Sequence, residues 1–139
     1  MAWGGHKKIG VAVTCADWRL HQRHVGLYKQ IAGKLDVQGV DINALPGPDG
    51  LLLPERQRDW ACVVDGVKLL VGAHKAVAIA VVAHQRCAGH PVSDDQHDHD
   101  AAVAAKALKA AAGFAGPSYA LVAVYHTDDK WTLKQVGKF

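Results

Sequence analysis

The sequence predicts an α/β fold, a mostly parallel sheet with helices on both of its faces, and three observations carry that expectation. Two short apolar runs, residues 9–13 and 77–82, have no polar interruption, as strands covered on both sides should. Segments with helical spacing separate the apolar runs, giving the order β-α-β-α-β-α-β-β, and strands that alternate with helices pair in parallel. A turn at Thr127-Asp128-Asp129-Lys130 joins the last two runs as a hairpin, so the final strand should run antiparallel.

In chain order, residues 1–8 are polar and expected to be loose, and residues 9–14 form the first strand. A helix follows over 20–35, with Leu20, Val25, Leu27, Tyr28, Ile31 and Leu35 along one stripe. The second strand is expected at 36–42, where Val37, Val40 and Ile42 alternate. Residues 43–54 carry Leu45-Pro46-Gly47-Pro48-Asp49-Gly50, a density of breakers that predicts no regular structure. The apolar triplet Leu51-Leu52-Leu53 behind it either packs on the core or meets another subunit. A second helix spans 55–74, with Trp60, Val63, Val64, Val67, Leu70 and Val71 on its buried side and Gly72 near its end. The third strand is residues 76–83, followed by a loop over 84–100 dense in His and Asp. An alanine-rich helix over 101–114 takes Asp100 as its N-cap and ends near Gly113 or Gly116. Strands at 120–125 and 131–136 complete the chain.

The 139 residues suit one domain, 1–139, with one core. Half of them are hydrophobic and 21% are charged, which predicts a packed interior. The net charge of +3, 16 basic against 13 acidic residues, is mild and scattered, and argues against a nucleic-acid partner. No run approaches membrane-spanning length and the first residues lack the apolar stretch of a signal peptide, so the expected location is the cytoplasm. Three cysteines are a poor disulfide framework, and a reducing compartment leaves thiols free for metal or catalysis.

Two stretches carry the chemistry. Cys15-Ala16-Asp17-Trp18-Arg19 follows the first strand, and His84-Gln85-Arg86-Cys87 follows the third. If those strands are neighbours, Cys15, Asp17, His84 and Cys87 converge at the carboxyl edge of the sheet, where open α/β sheets place ligands. Two thiolates and an imidazole hold Zn²⁺ and leave a fourth position, where a water has its pKa lowered to about 7 and supplies a hydroxide nucleophile. Asp17 is close enough to take that position itself or to accept a hydrogen bond from the water. Arg19 can hold Asp17 off the metal through a bidentate pair. Each half is weak alone, since buried thiols and surface ion pairs are common. Cys62, among Trp60, Val63 and Val64, reads as a small core residue. The stretch 90–100 reads as a solvated loop that caps the next helix through Asp98 or Asp100; proton transfer by its histidines or a second cation on its acids are the alternatives.

Together, Cys15-x-Asp17-x-Arg19 and His84-x-x-Cys87, each at a strand end, resemble the zinc site of the β-class carbonic anhydrases, over most of the chain from Ile9 onward. The resemblance implies four parallel strands ordered 2-1-3-4 with the antiparallel strand 5 at the edge. It implies Zn²⁺ on Cys15, His84 and Cys87, with Asp17 as an additional ligand in a closed form, and a homodimer or higher oligomer. The chain departs from the family pattern at Cys87-Ala88-Gly89, where the glycine is displaced by one, in the 43–50 loop, and in having only residues 1–8 before the first strand. No substrate-orienting glutamine maps onto it.

The expected activity is therefore reversible hydration of CO₂ to bicarbonate by zinc-bound hydroxide, with Asp17 and Arg19 as the catalytic pair. A COS or CS₂ hydrolase would use the same nucleophile in a narrower apolar pocket, for which Leu51–Leu53 are candidates. A non-catalytic zinc-binding scaffold is the third reading.

Overall fold

The computed structural model describes residues 7–139; the expectation for residues 1–6 lies outside them. Five strands form one sheet: β1 (Ile9–Cys15), β2 (Gly39–Leu45), β3 (Ala78–His84), β4 (Ser118–Tyr125) and β5 (Trp131–Lys138). Their order is β2-β1-β3-β4-β5. The first four are parallel and β5 is antiparallel to β4. This is the predicted α/β class and the predicted order. Among the described residues no helix is long and apolar enough to cross a membrane.

The central strands are apolar on both sides because both sides are covered. Every residue of β3 is buried. Its Ala78, Ala80 and Val82 face a cluster with Leu27, Ile31 and Leu35 of helix α1 (Leu27–Leu35). Its Ile79, Val81 and Ala83 face Val63, Val64 and Val67 of α3 (Ala61–His74) and Ala101, Ala104, Ala105 and Leu108 of α4 (Asp94–Ala112). A short helix, α2 (Pro48–Leu51), lies on this second side.

Element boundaries depart from the sequence reading for local reasons. The helix expected over 20–35 starts only at Leu27, because Gly26 takes a left-handed φ of +62° that ends a short 3-10 turn at Arg23–Val25. Leu20 is still fully buried ahead of it. β2 runs later than expected, to Leu45, because it pairs with β1 along its length, Leu45 opposite Cys15. The breaker-rich stretch is not wholly irregular. Pro48 occupies the first turn of α2, where a missing N–H is no loss. Leu52 is fully buried in the core and Leu51 is half-buried, so much of the apolar triplet packs inside this chain. Residues 54–59 form a 3-10 segment, α3 begins at Ala61, and left-handed Lys75 rather than Gly72 ends it. Cys62 is exposed, a correction to its expected place in the core. Its apolar neighbours Val63, Val64 and Val67 occupy the inward stripe, and position 62 falls off it.

The largest departure is α4, which starts at Asp94, well inside the expected loop. Ser93 is its N-cap, accepting from the Gln96 N–H at 3.1 Å, so neither Asp98 nor Asp100 caps it; both lie within the helix. Gly113, left-handed at φ +63°, closes it as predicted. The final hairpin has left-handed φ at both Asp128 and Asp129, the central residues of a turn closed by the Lys130 N–H donating to the Thr127 carbonyl.

Replacing Ser93 by Ala should lower stability by about 1 kcal/mol, the usual loss for an N-cap oxygen. Urea unfolding of the two proteins measures it, and an unchanged midpoint would contradict the cap at Ser93.

Candidate metal centre

Cys15 is the last residue of β1 and His84 the last of β3, and the two strands are paired neighbours. The sheet therefore delivers both side chains to one edge. Arg86 takes a left-handed φ of +57°, and the turn it sits in returns Cys87 toward the strand ends. All three side chains are buried. The two Sγ atoms are 3.9 Å apart, far beyond a disulfide bond, and both thiols are free. The two sulfurs and an imidazole nitrogen of His84 all lie within 4.8 Å of one another.

His84 is oriented for a ligand. Its Nδ1–H donates to the Gln85 carbonyl at 2.6 Å, which leaves the lone pair on Nε2. Nε2 is buried and has no hydrogen-bond partner. Edge-on packing against the Trp131 ring, centroids 5.5 Å apart, fixes the imidazole plane. A carbonyl holding the far nitrogen is the usual outer partner of a metal-bound histidine. Two thiols and an orphaned imidazole nitrogen make a Cys₂His donor set, which suits zinc and leaves a fourth position open.

Asp17 stands beside the cluster, its Oδ2 at 3.8 Å from His84 Nε2. Arg19 holds it there: Nη2 donates to Oδ2 at 2.6 Å, Nε to Oδ1 at 3.1 Å, and the Arg19 backbone N–H to Oδ1 at 3.0 Å. Arg19 Nη2 also donates to the Arg86 carbonyl at 3.0 Å, and the guanidinium lies 5.5 Å over Trp131. The structure thus brings together all five residues singled out in the sequence, with Asp17 on its arginine. The sequence reading misses what surrounds them. Trp131 backs both His84 and Arg19, and Gln85 Oε1 accepts from the Tyr125 N–H at 3.0 Å, tying the His84 turn to β4. No local signal marks either residue, since their roles depend on sheet order.

The ionisable groups are strongly coupled. The hydrogen bond from Cys87 holds the Cys15 thiol far below its ordinary range against the opposing push of burial, with help from His84 and the Gly47 and Asp17 amides. The same contact, then burial and the Cys15 charge, pushes Cys87 up. Burial pushes His84 down, but the neighbouring Cys15 thiol and its charge outweigh it, and the net shift is upward. The Arg19 hydrogen bonds hold the Asp17 carboxyl below its usual value.

Adjacent parallel strands that end in a buried Cys₂His cluster, with an arginine-clamped aspartate beside it, give this α/β fold a group of side chains that could hold a metal ion. The profile of the family described as "Putative carbonic anhydrase" matches residues 5–137 of the 139, and the chain belongs to that family. A search among curated proteins finds no match.

Metal uptake must remove the proton that Cys87 retains and any that His84 holds, because the ligating forms are thiolate and neutral imidazole. Affinity for zinc should therefore rise with pH through neutrality, with log K climbing by about one to two per pH unit, one for each proton released. Competition titrations against a chelator at several pH values measure the slope; a flat profile would contradict the ligand set.

Proposed function

We propose that this chain binds one Zn²⁺ through Cys15, His84 and Cys87 and catalyses the reversible hydration of CO₂ to bicarbonate. The observation that carries the reading is the unpartnered, buried Nε2 of His84 beside two free thiols, with Asp17 engaged by Arg19. Bound zinc would supply a water acidic enough to act as a nucleophile near neutral pH. Asp17 accepts a hydrogen bond from the attacking water and so aims its lone pair at the substrate carbon. The depressed Asp17 pKa keeps it an acceptor at neutral pH. Arg19 fixes the direction of that acceptor and keeps the carboxylate from becoming a fourth ligand. Trp131, 3% exposed, walls the site on the β5 side and limits competing water.

COS and CS₂ are linear and electrophilic at carbon as CO₂ is, but the apolar entrance that would favour them has no support. Leu52 is in the core, and Leu53 borders a separate surface pocket with His90 and Gln96.

Arg19→Ala should release Asp17 to compete for the metal, so hydration should fall steeply while zinc stays near one per chain. Asp17→Asn should also keep zinc and lose about 10²–10⁴-fold in rate, the range for a positioned acid–base group. Stopped-flow CO₂ hydration with metal analysis on the same samples tests both. An active wild type whose rate neither substitution changes would remove the role given to the pair, and a zinc-replete but inactive wild type would leave the non-catalytic scaffold.

A further inference from the structure

A second group of potential ligands lies near the first centre and shares no residue with it. Asp49 of α2, His90 of the loop after Cys87 and Asp100 of α4 bring one imidazole nitrogen and two carboxylate oxygens within 4.8 Å of one another. His90 Nε2 is 2.6 Å from Asp100 Oδ2 and 4.0 Å from Asp49 Oδ2. Asp49 is fully buried and Asp100 is 3% exposed. Each carboxylate also has a second partner. His97 Nδ1–H donates to Asp49 Oδ2 at 2.7 Å, and Gln96 Nε2 donates to Asp100 Oδ1 at 2.7 Å. Clustered carboxylates and an imidazole with further hydrogen-bond partners are the arrangement in which outer partners orient metal ligands.

Two further observations point to a ligand. Asp49 Oδ1, on the carboxylate that faces His90, is buried without any hydrogen-bond partner. His97, also fully buried and packed edge-on against the His90 ring at 5.5 Å, has an unpartnered Nε2. Two carboxylates shut away from water need compensating positive charge, and an orphaned carboxylate oxygen needs a partner. A divalent cation answers both. Glycines admit the ligands: a Cβ on Gly50 would collide with the His90 ring, and one on Gly89 would sit 2.9 Å from the Gly47 nitrogen. A surface pocket bordered by His90, Gln96 and Asp100 gives a path in from solvent.

We propose that Asp49, His90 and Asp100 form a second metal site, of mixed carboxylate–imidazole type, for a divalent transition ion of the Mn²⁺ or Zn²⁺ class. One imidazole with two carboxylates suits these ions; a site for Ca²⁺ or Mg²⁺ would be all oxygen, and the thiolates that favour Cu(I) are absent from it. Binding exchanges the His90–Asp100 hydrogen bond for two metal bonds, the Nε2 proton passing to solvent, and gives Asp49 Oδ1 a partner. The ion would pin α2 and the start of α4 to the turn that carries Cys87. The proposal does not depend on the zinc chemistry of the first centre.

The full chain, loaded with one Zn²⁺ per molecule, is dialysed against Mn²⁺ and separately against further Zn²⁺, with metal counted by elemental analysis. One additional ion per chain is expected. Bound Mn²⁺ should show nitrogen coupling in pulsed electron paramagnetic resonance, and His90→Gln should abolish that coupling. Asp100→Asn should remove most of the binding. Gln96 is exposed and reaches Asp100 only through its side-chain amide, so Gln96→Ala folds even if the buried substitutions do not; it should weaken the second ion about 10–100-fold. None of these should change the zinc of the first centre, and Cys87→Ser should remove that zinc while leaving the Mn²⁺. Uptake of no second ion of either kind at millimolar concentration, or Mn²⁺ binding indifferent to Gln96→Ala and His90→Gln alike, would overturn the proposal.

Discussion

The structure depends on one constraint: two adjacent parallel strands end in buried side chains that form a cluster able to hold a metal. β1 ends in Cys15 and β3 in His84, and Cys87 closes the group, with the sulfurs 3.9 Å apart and one imidazole nitrogen unpartnered in the interior. The contact between the two thiols holds Cys15 low and pushes Cys87 up. An ion that takes both thiolates and Nε2 removes that conflict. The burial of these groups, unfavourable for a bare protein, would become a source of affinity and order with a metal bound.

The edge hairpin belongs to the same arrangement. β5 puts Trp131 and Leu133 into the core, and Trp131 touches His84 on one side and lies under Arg19 on the other. Tyr125, at the end of β4, packs against Trp131 and carries the Arg86 guanidinium at 3.9 Å over its ring. Arg86 in turn offers its carbonyl to Arg19. The Asp17–Arg19 pair is therefore supported by aromatic side chains and a backbone oxygen, which separates it from an ordinary surface ion pair worth almost nothing. The other face of the loops, where Gly47 and Gly89 meet backbone to backbone, leads to the His and Asp residues around Asp49.

Much of this is legible in the sequence, and the parts that are not have a physical reason. Doubly covered strands advertise themselves as unbroken apolar runs, and ligands placed at strand ends inherit a fixed position relative to those runs. With the strand order that the family resemblance implies, Cys15, His84 and Cys87 can therefore be recognised as one cluster. The start of α4 cannot. Its inward stripe is 97, 100, 101, 104, 105 and 108, an unbroken helical period, but its first two members are His97 and Asp100. Hydrophobic periodicity fails where polar residues occupy the buried face, and that is where the second cluster sits. Asp49 is hidden for the complementary reason, set among breakers that read as open loop although it is fully buried. Cys62 misleads in the other direction: apolar neighbours in sequence are not neighbours in space when the helix turns by about 100° per residue.

The central claim is that two thiolates and one imidazole of this chain hold the catalytic metal. X-ray absorption at the zinc edge, on chain loaded with a single equivalent, tests it most directly. The account predicts two sulfur scatterers at about 2.3 Å with one or two lighter atoms at about 2.0–2.1 Å. A shell of nitrogen and oxygen alone would contradict it.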